Sequence, residues 1–265
     1  MFERGVPLFP ERSAALEAFG LKFSGGGAHI SRTMMLEELE SVLSAVPLGS
    51  APGDYRDAIL LRNALGKATD STRQKSIRHL RELYALDEAT PIFGLLRKLH
   101  DVDPESLPQL AMLVAWSRDP LLRATTPPIM DAAEGDRVEP ATLAEAVHEA
   151  FGDQYSELNR NKIARNAASS WMQSGHLAGR AKKNRQKIKP TVIAATAALF
   201  FGHVAGARGE AIFSNPWCRL LDLDVDRARS LGFEAHRAGF LNLRALAEVV
   251  EVTFPFLSEL EGEPA

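Results

Sequence analysis

Between Thr191 and Gly206 the chain reads TVIAATAALFFGHVAG, sixteen residues in which His203 is the only titratable side chain. A helix that is apolar all round has to be surrounded by other structure. At sixteen residues the run is short of the roughly 20 that cross a bilayer. It therefore predicts a central helix packed on every side, in a protein that does not enter the membrane. The chain has the material for that packing, with 265 residues, 45% hydrophobic and 25% charged, an ordinary globular composition. This length favours two domains slightly over one. The opening MFERGVPLFPERS lacks the apolar stretch of a secretory signal. The single Cys218 can form neither an internal disulfide nor a multi-cysteine zinc site, and packing is the usual fate of such a residue. A cytoplasmic protein is expected.

Periodicity along the rest of the chain predicts helices. Residues 1–22 read as an arm with a short amphipathic piece. Ser24-Gly25-Gly26-Gly27 then reads as a hinge. Ser31 is placed to cap a helix running to about Val46, ahead of Pro47. Asp54 opens another helix, and Asp70 and Ser71 a third, with Ile77, Leu80, Leu83 and Tyr84 as its inner stripe. Further helices fall at 90–100 and 105–117, the second ending near Asp119-Pro120. Pro127-Pro128 and the acidic DAAEGDRVEP read as a linker. The expected architecture is mainly α. It comprises the arm 1–22, a helical domain 23–126, a linker 127–140 and a second helical domain 141–265 with short β-hairpins.

Charge singles out the second domain. The net charge is −3, yet no acid lies between Glu157 and Glu210, a stretch holding ten Lys and Arg residues. The remainder of the chain therefore sums to −3 − 10 = −13. A basic island in an acidic chain points to a polyanion; a solvated face with no partner is the plainer alternative. Ahead of the island, helix 141–151 carries Leu143, Val147 and Ala150 on one face and is broken by Gly152. A second helix runs from about Ser156 to Ser174. There Ile163, Ala164, Ala167 and Trp171 share an arc of about 100°. Asn159, Lys162, Arg165, Asn166, Ser169 and Gln173 cover the opposite arc, and Arg160 at the helix start is expected to swing outward. A glycine-flanked turn, RAKKNRQ and Lys187-Ile188-Lys189-Pro190 follow. Helix, turn, helix, strand, basic loop, strand is the layout of a winged helix-turn-helix. A polar helix face suits the major groove, Arg and Lys suit phosphate, and Asn, Gln and Arg can also read base edges. The candidate contacts are Arg160, Lys162, Arg165, Asn166, Ser169 and Gln173 on the helix. Arg180, Lys182, Lys183, Arg185 and Lys187 form the wing, and Lys189 beyond it is a further candidate. Arg73, Lys75, Arg78 and Arg81 form a secondary basic face on the helix opened by Asp70. Near the C-terminus a helix, Gly239 and an alternating run Val249 to Phe254 repeat the helix-and-hairpin pattern with few bases, as a structural or partner-binding unit.

Motifs for catalysis are missing. No two of the seven histidines stand at helix-face spacing for a metal. Gly66-Lys67 is followed by Ala68, so there is no phosphate-binding loop. Neither Gly-x-Ser-x-Gly nor Glu-x-Lys occurs. A non-enzymatic protein without cofactor or metal is expected.

Several passages together resemble the BrxA family of bacteriophage-exclusion (BREX) defence systems. They are FSGGGAHISRTMMLEEL, STRQKSIRHLREL, Ser117-Arg118-Asp119-Pro120-Leu121-Leu122-Arg123, ELNRNKIARNAASSWMQSGHLAG and GFLNLRALAEVVEVTFP. The likeness spans roughly residues 20–256. It implies an α-rich accessory protein that binds double-stranded DNA, with other defence proteins as further partners, in a gene cluster that includes a methyltransferase. Such systems mark host DNA and block phage replication. The charge island leads to the same partner by a separate route. The reading is a sequence-tolerant duplex-DNA binder. A sequence-specific winged-helix regulator and a helical scaffold joining other defence proteins are the alternatives.

Overall fold

The computed structural model describes residues 8–246 and 249–260. Its central feature is the apolar run: α11 (Val192–Val204) is capped by the Thr191 hydroxyl, and Ile193 to Gly202 are all buried. Around it the described chain is mainly helical. The first half supplies α1 (Ala14–Phe19), α2 (Leu36–Ala45), α3 (Pro52–Leu60), α4 (Asp70–Tyr84), α5 (Pro91–Val102) and α6 (Leu107–Arg118). Two short helices follow, α7 (Pro120–Ala124) and α8 (Thr126–Met130). The second half holds α9 (Pro140–Phe151) and α10 (Glu157–Gln173), then β1 (Leu177–Ala178) and β2 (Asn184–Arg185), which pair antiparallel. After α11 come α12 (Pro216–Leu220), α13 (Val225–Arg237) and a second antiparallel hairpin of β3 (Asn242–Leu246) and β4 (Val249–Thr253). On that hairpin Leu243, Val250 and Val252 face inward, as the alternation in the sequence predicts. Among the described residues no helix is long and apolar enough to cross a membrane.

The apolar interior runs through both halves of the chain. Trp116 of α6 and Trp217 of α12 meet edge to face at 6.0 Å, and the Trp217 indole donates to the Ser117 hydroxyl at 2.8 Å. The arm folds back onto this junction. Phe9 packs against Phe23, Trp116 and Trp217, and the Arg123 guanidinium lies 3.8 Å from the centre of its ring. In the expected linker Ile129 is buried, and residues 135–138 bond along β2: Gly135 N–H to the Arg185 carbonyl, Arg185 N–H to that of Asp136, and Val138 N–H to that of Lys183.

Three local expectations need correction. Ser31 caps no helix. Residues 28–30 form a single tight turn and α2 begins only at Leu36, because α10 side chains occupy N–H groups that an earlier start would need. Met34 N–H donates to the Ser170 hydroxyl at 2.8 Å and Leu36 N–H to the Gln173 carboxamide at 3.4 Å. Met35 then turns through a left-handed conformation at φ 54° to enter the helix. The triple glycine is not a free hinge at Gly27: a side-chain carbon there would come within 1.8 Å of the Asp119 carboxylate, so only glycine fits the contact. On α9, Ala146 rather than Ala150 joins Leu143 and Val147 inside, and Ala150 is exposed.

Candidate nucleic-acid interface

Helix α10 forms where its sequence predicts. Ser156 caps it by accepting from Asn159 N–H, and Ile163, Ala164, Ala167 and Trp171 are buried against the body. The opposite arc divides into two strips. Lys162 and Arg165 are exposed, and Ser169 is half-buried beside them. Asn166 and Gln173 lie along the edge covered by residues 28–36 and are bonded to it. The Asn166 amide donates to the His29 carbonyl at 2.8 Å, and the Gln173 amide to the Thr33 hydroxyl at 3.3 Å. Arg160 does not swing outward. Its guanidinium donates to the Tyr155 carbonyl at 3.0 Å and lies 3.2 Å from His148 Nδ1, which holds it back over the helix start.

The β1–β2 hairpin follows α10 after Gly175 and His176. Arg180 and Lys182 are exposed at its loop, and Lys183, half-buried, brings its ammonium to the Met172 sulfur of α10. Lys187 and Lys189 are exposed beyond β2. Gly179 makes the loop possible: its φ is +105°, and a side-chain carbon there would lie 2.1 Å from the Lys182 carbonyl oxygen. Among the described residues no carboxylate forms an ion pair with Lys162, Arg165, Arg180, Lys182, Lys183, Lys187 or Lys189.

Arg185 departs from the expectation. It is 2% exposed and forms an ion pair with Asp222, while also donating to the Gln186 carbonyl. Asp222 accepts in turn from Ile188 N–H at 3.1 Å. Arg185 therefore staples the hairpin to the α12–α13 turn and has no surface to offer a phosphate. Its partner stands 37 residues along the chain, beyond the acid-free stretch.

The secondary basic face lies on α4. Lys75, Arg78 and Arg81 are exposed and line a shallow groove of about 510 Å³ with Ser71, Gln74 and Ile77. Arg73 is drawn back, paired with Asp70 and donating to the Lys67 carbonyl at 3.3 Å.

One constellation has no local signal in the sequence. Asp119 Oδ2 lies 2.7 Å from His29 Nδ1, and His29 Nε2 lies 2.8 Å from Ser170 Oγ, the order of a Ser-His-Asp relay. All three are buried, none more than 1% exposed. Ser170 Oγ also accepts from Met34 N–H and lies 3.1 Å from the Asn166 carbonyl. The hydroxyl is thus enclosed by its own chain, and the cluster ties the 28–36 segment to α7 and α10. Burial alone would raise the Asp119 carboxyl, but the His29 ring, together with the N–H groups of Leu122 and His29, holds it below its ordinary value. Cys218 is fully buried, and burial pushes its thiol up to about 12, the state of a packed rather than reactive cysteine. Among the described residues no three His, Cys, Asp or Glu side chains gather as a metal site. In comparison with known proteins, no family model and no curated protein matches the chain.

Proposed function

We propose that this is a non-enzymatic protein that binds double-stranded DNA with little sequence preference. In this reading α9 and α10 act as a helix-turn-helix and the β1–β2 hairpin as its wing. The supporting observation is the set of exposed cations on α10 and the hairpin that no described carboxylate pairs. Unpaired lysines and arginines gathered on one helix and its adjoining loop suit a phosphate backbone, whose counterions they displace. Tolerance of sequence follows from the amides. Asn166 and Gln173, the side chains best suited to adenine edges, already bond the protein's own backbone and Thr33. A sequence-specific regulator would have to break those bonds to read bases. The passages that resemble the BrxA family support an accessory role in BREX phage defence, alongside the proteins that modify DNA.

The test is fluorescence anisotropy of a labelled duplex over a salt series. Wild type is compared with a Lys182→Ala/Lys183→Ala/Lys187→Ala variant, leaving out the buried Arg185. Log affinity should fall with log salt by about 0.9 per phosphate contact, equally for unrelated duplexes, and the variant should have a shallower slope. Absence of binding at low salt would sink this reading and favour a helical scaffold for other defence proteins.

A further inference from the structure

The cations of α4 and those of α10 stand far apart in the chain, yet one segment joins the two helices. On the α10 side, residues 28–36 are held through the Asn166, Ser170 and Gln173 side chains. On the α4 side, the Tyr84 hydroxyl donates to the Met34 carbonyl at 2.5 Å, and the Ser31 hydroxyl lies 3.4 Å from His79 Nε2. The exposed strip of α10 thus borders this segment on one edge and α4 borders it on the other. Between them sits Arg32. It is half-buried, and among the described residues its guanidinium donates only to the carbonyl of its neighbour Ser31, at 3.2 Å. Burial holds the His79 ring below its ordinary range, and the Arg78 and Arg32 charges push it the same way against Glu82, so these two guanidinium groups share one neighbourhood around the ring. At the far side, Lys183 of the hairpin reaches Met172 on the exposed arc of α10.

From this juxtaposition we infer that the hairpin, α10, the 28–36 segment and α4 form one continuous phosphate track, with Arg32 at its centre, on which a single duplex lies. The inference rests on the DNA-binding reading above and extends it. Two helices of about 10–12 Å diameter with a segment between them span less than one turn of duplex, about 34 Å. One double helix can therefore cross all of these elements. The acids near the track are few and mostly engaged. Asp70 is paired with Arg73, and the Glu82 carboxylate lies among the charges of Lys22 and Arg118, while Glu37 and Glu40 of α2 mark an edge.

The test uses a duplex of roughly 20 base pairs, about two turns. Affinity, salt slope and stoichiometry are measured for wild type, Arg32→Ala, Lys75→Ala/Arg78→Ala and Lys182→Ala/Lys183→Ala, with circular dichroism verifying the fold of each. The track requires one duplex per chain and a slope that shrinks by about 0.9 for each contact removed, from Arg32 and α4 as much as from the hairpin. If the hairpin variant weakens binding while Arg32→Ala and the α4 variant change nothing, the track is overturned and the DNA-binding reading stands. Two duplexes per chain would also overturn it, making α4 a separate site. If wild type binds no duplex, both fall together.

Discussion

Buried in the turn after α10, His176 lies with Nδ1 2.8 Å from the Ser174 hydroxyl and Nε2 2.7 Å from the Leu220 carbonyl. Burial holds its pKa down at about 4, against 6.5 when exposed. The folded protein thus refuses a proton that the unfolded chain accepts. Stability from this residue is complete above pH 6.5 and is lost as pH falls towards 4, by about 1.4 kcal/mol per unit, about 3 kcal/mol in all. Urea midpoints measured across that window should fall with pH, and more gently in His176→Gln. The contact of Gly27 with Asp119 gives a second outcome. Gly27→Ala should cost more than about 2 kcal/mol, whereas Gly26→Ala, 3.4 Å from the nearest atom, should be close to neutral by the same measurement. The Arg185–Asp222 pair gives a third. Asp222→Asn, chosen because asparagine tolerates the φ of 57° there, should destabilise by about 3 kcal/mol by stranding a buried charge, without raising duplex affinity. A rise in affinity would mean that Arg185 had been freed to reach phosphate. This pair also marks where sequence reasoning ends at this scale. The acid-free stretch identifies ten bases, but nothing near Arg185 reveals that a carboxylate 37 residues away neutralises it.

At the scale of elements, legibility follows the range of the forces involved. Helix α10 is readable because its determinants are local: the Ser156 cap, the apolar stripe and the glycine that follows. The outward and inward faces of β4 are readable for the same reason. The segment 28–36 is not, because its hydrogen bonds run to Asp119, Asn166, Ser170 and Gln173, about 90 to 140 residues away. Those bonds override the capping signal at Ser31 and also take two of the amides expected to read DNA. The hairpin allows a prediction confined to one element. Gly179→Ala would push a methyl into the Lys182 carbonyl and should reshape the loop carrying Arg180 and Lys182. Duplex affinity should drop about tenfold, the equivalent of 1.4 kcal/mol, while strain at φ +105° lowers the melting temperature by about 2–4 °C. Parallel anisotropy and thermal melts would separate those effects; equal affinity would remove the hairpin from the interface.

For the molecule as a whole, the feature that matters is the apolar interior shared by both halves. Trp116 and Trp217 touch, and α11 packs with α5 and α6 of the first half as well as α12 and α13 of the second. A chain joined in this way should unfold in one transition, with tryptophan fluorescence and far-ultraviolet circular dichroism giving coincident urea curves. Separate curves would mean that residues 23–126 and 141–265 unfold as independent units. Phe9 adds a consequence in time. Its ring ends up against Trp217, which is synthesised about 200 residues later. At 5–20 residues per second, the ribosome makes that partner roughly 10–40 s after Phe9. Until then the arm has no finished seat, so the first described residues to leave the ribosome are among the last to dock, and a chain stalled before Trp217 would display Phe9 to chaperones and proteases.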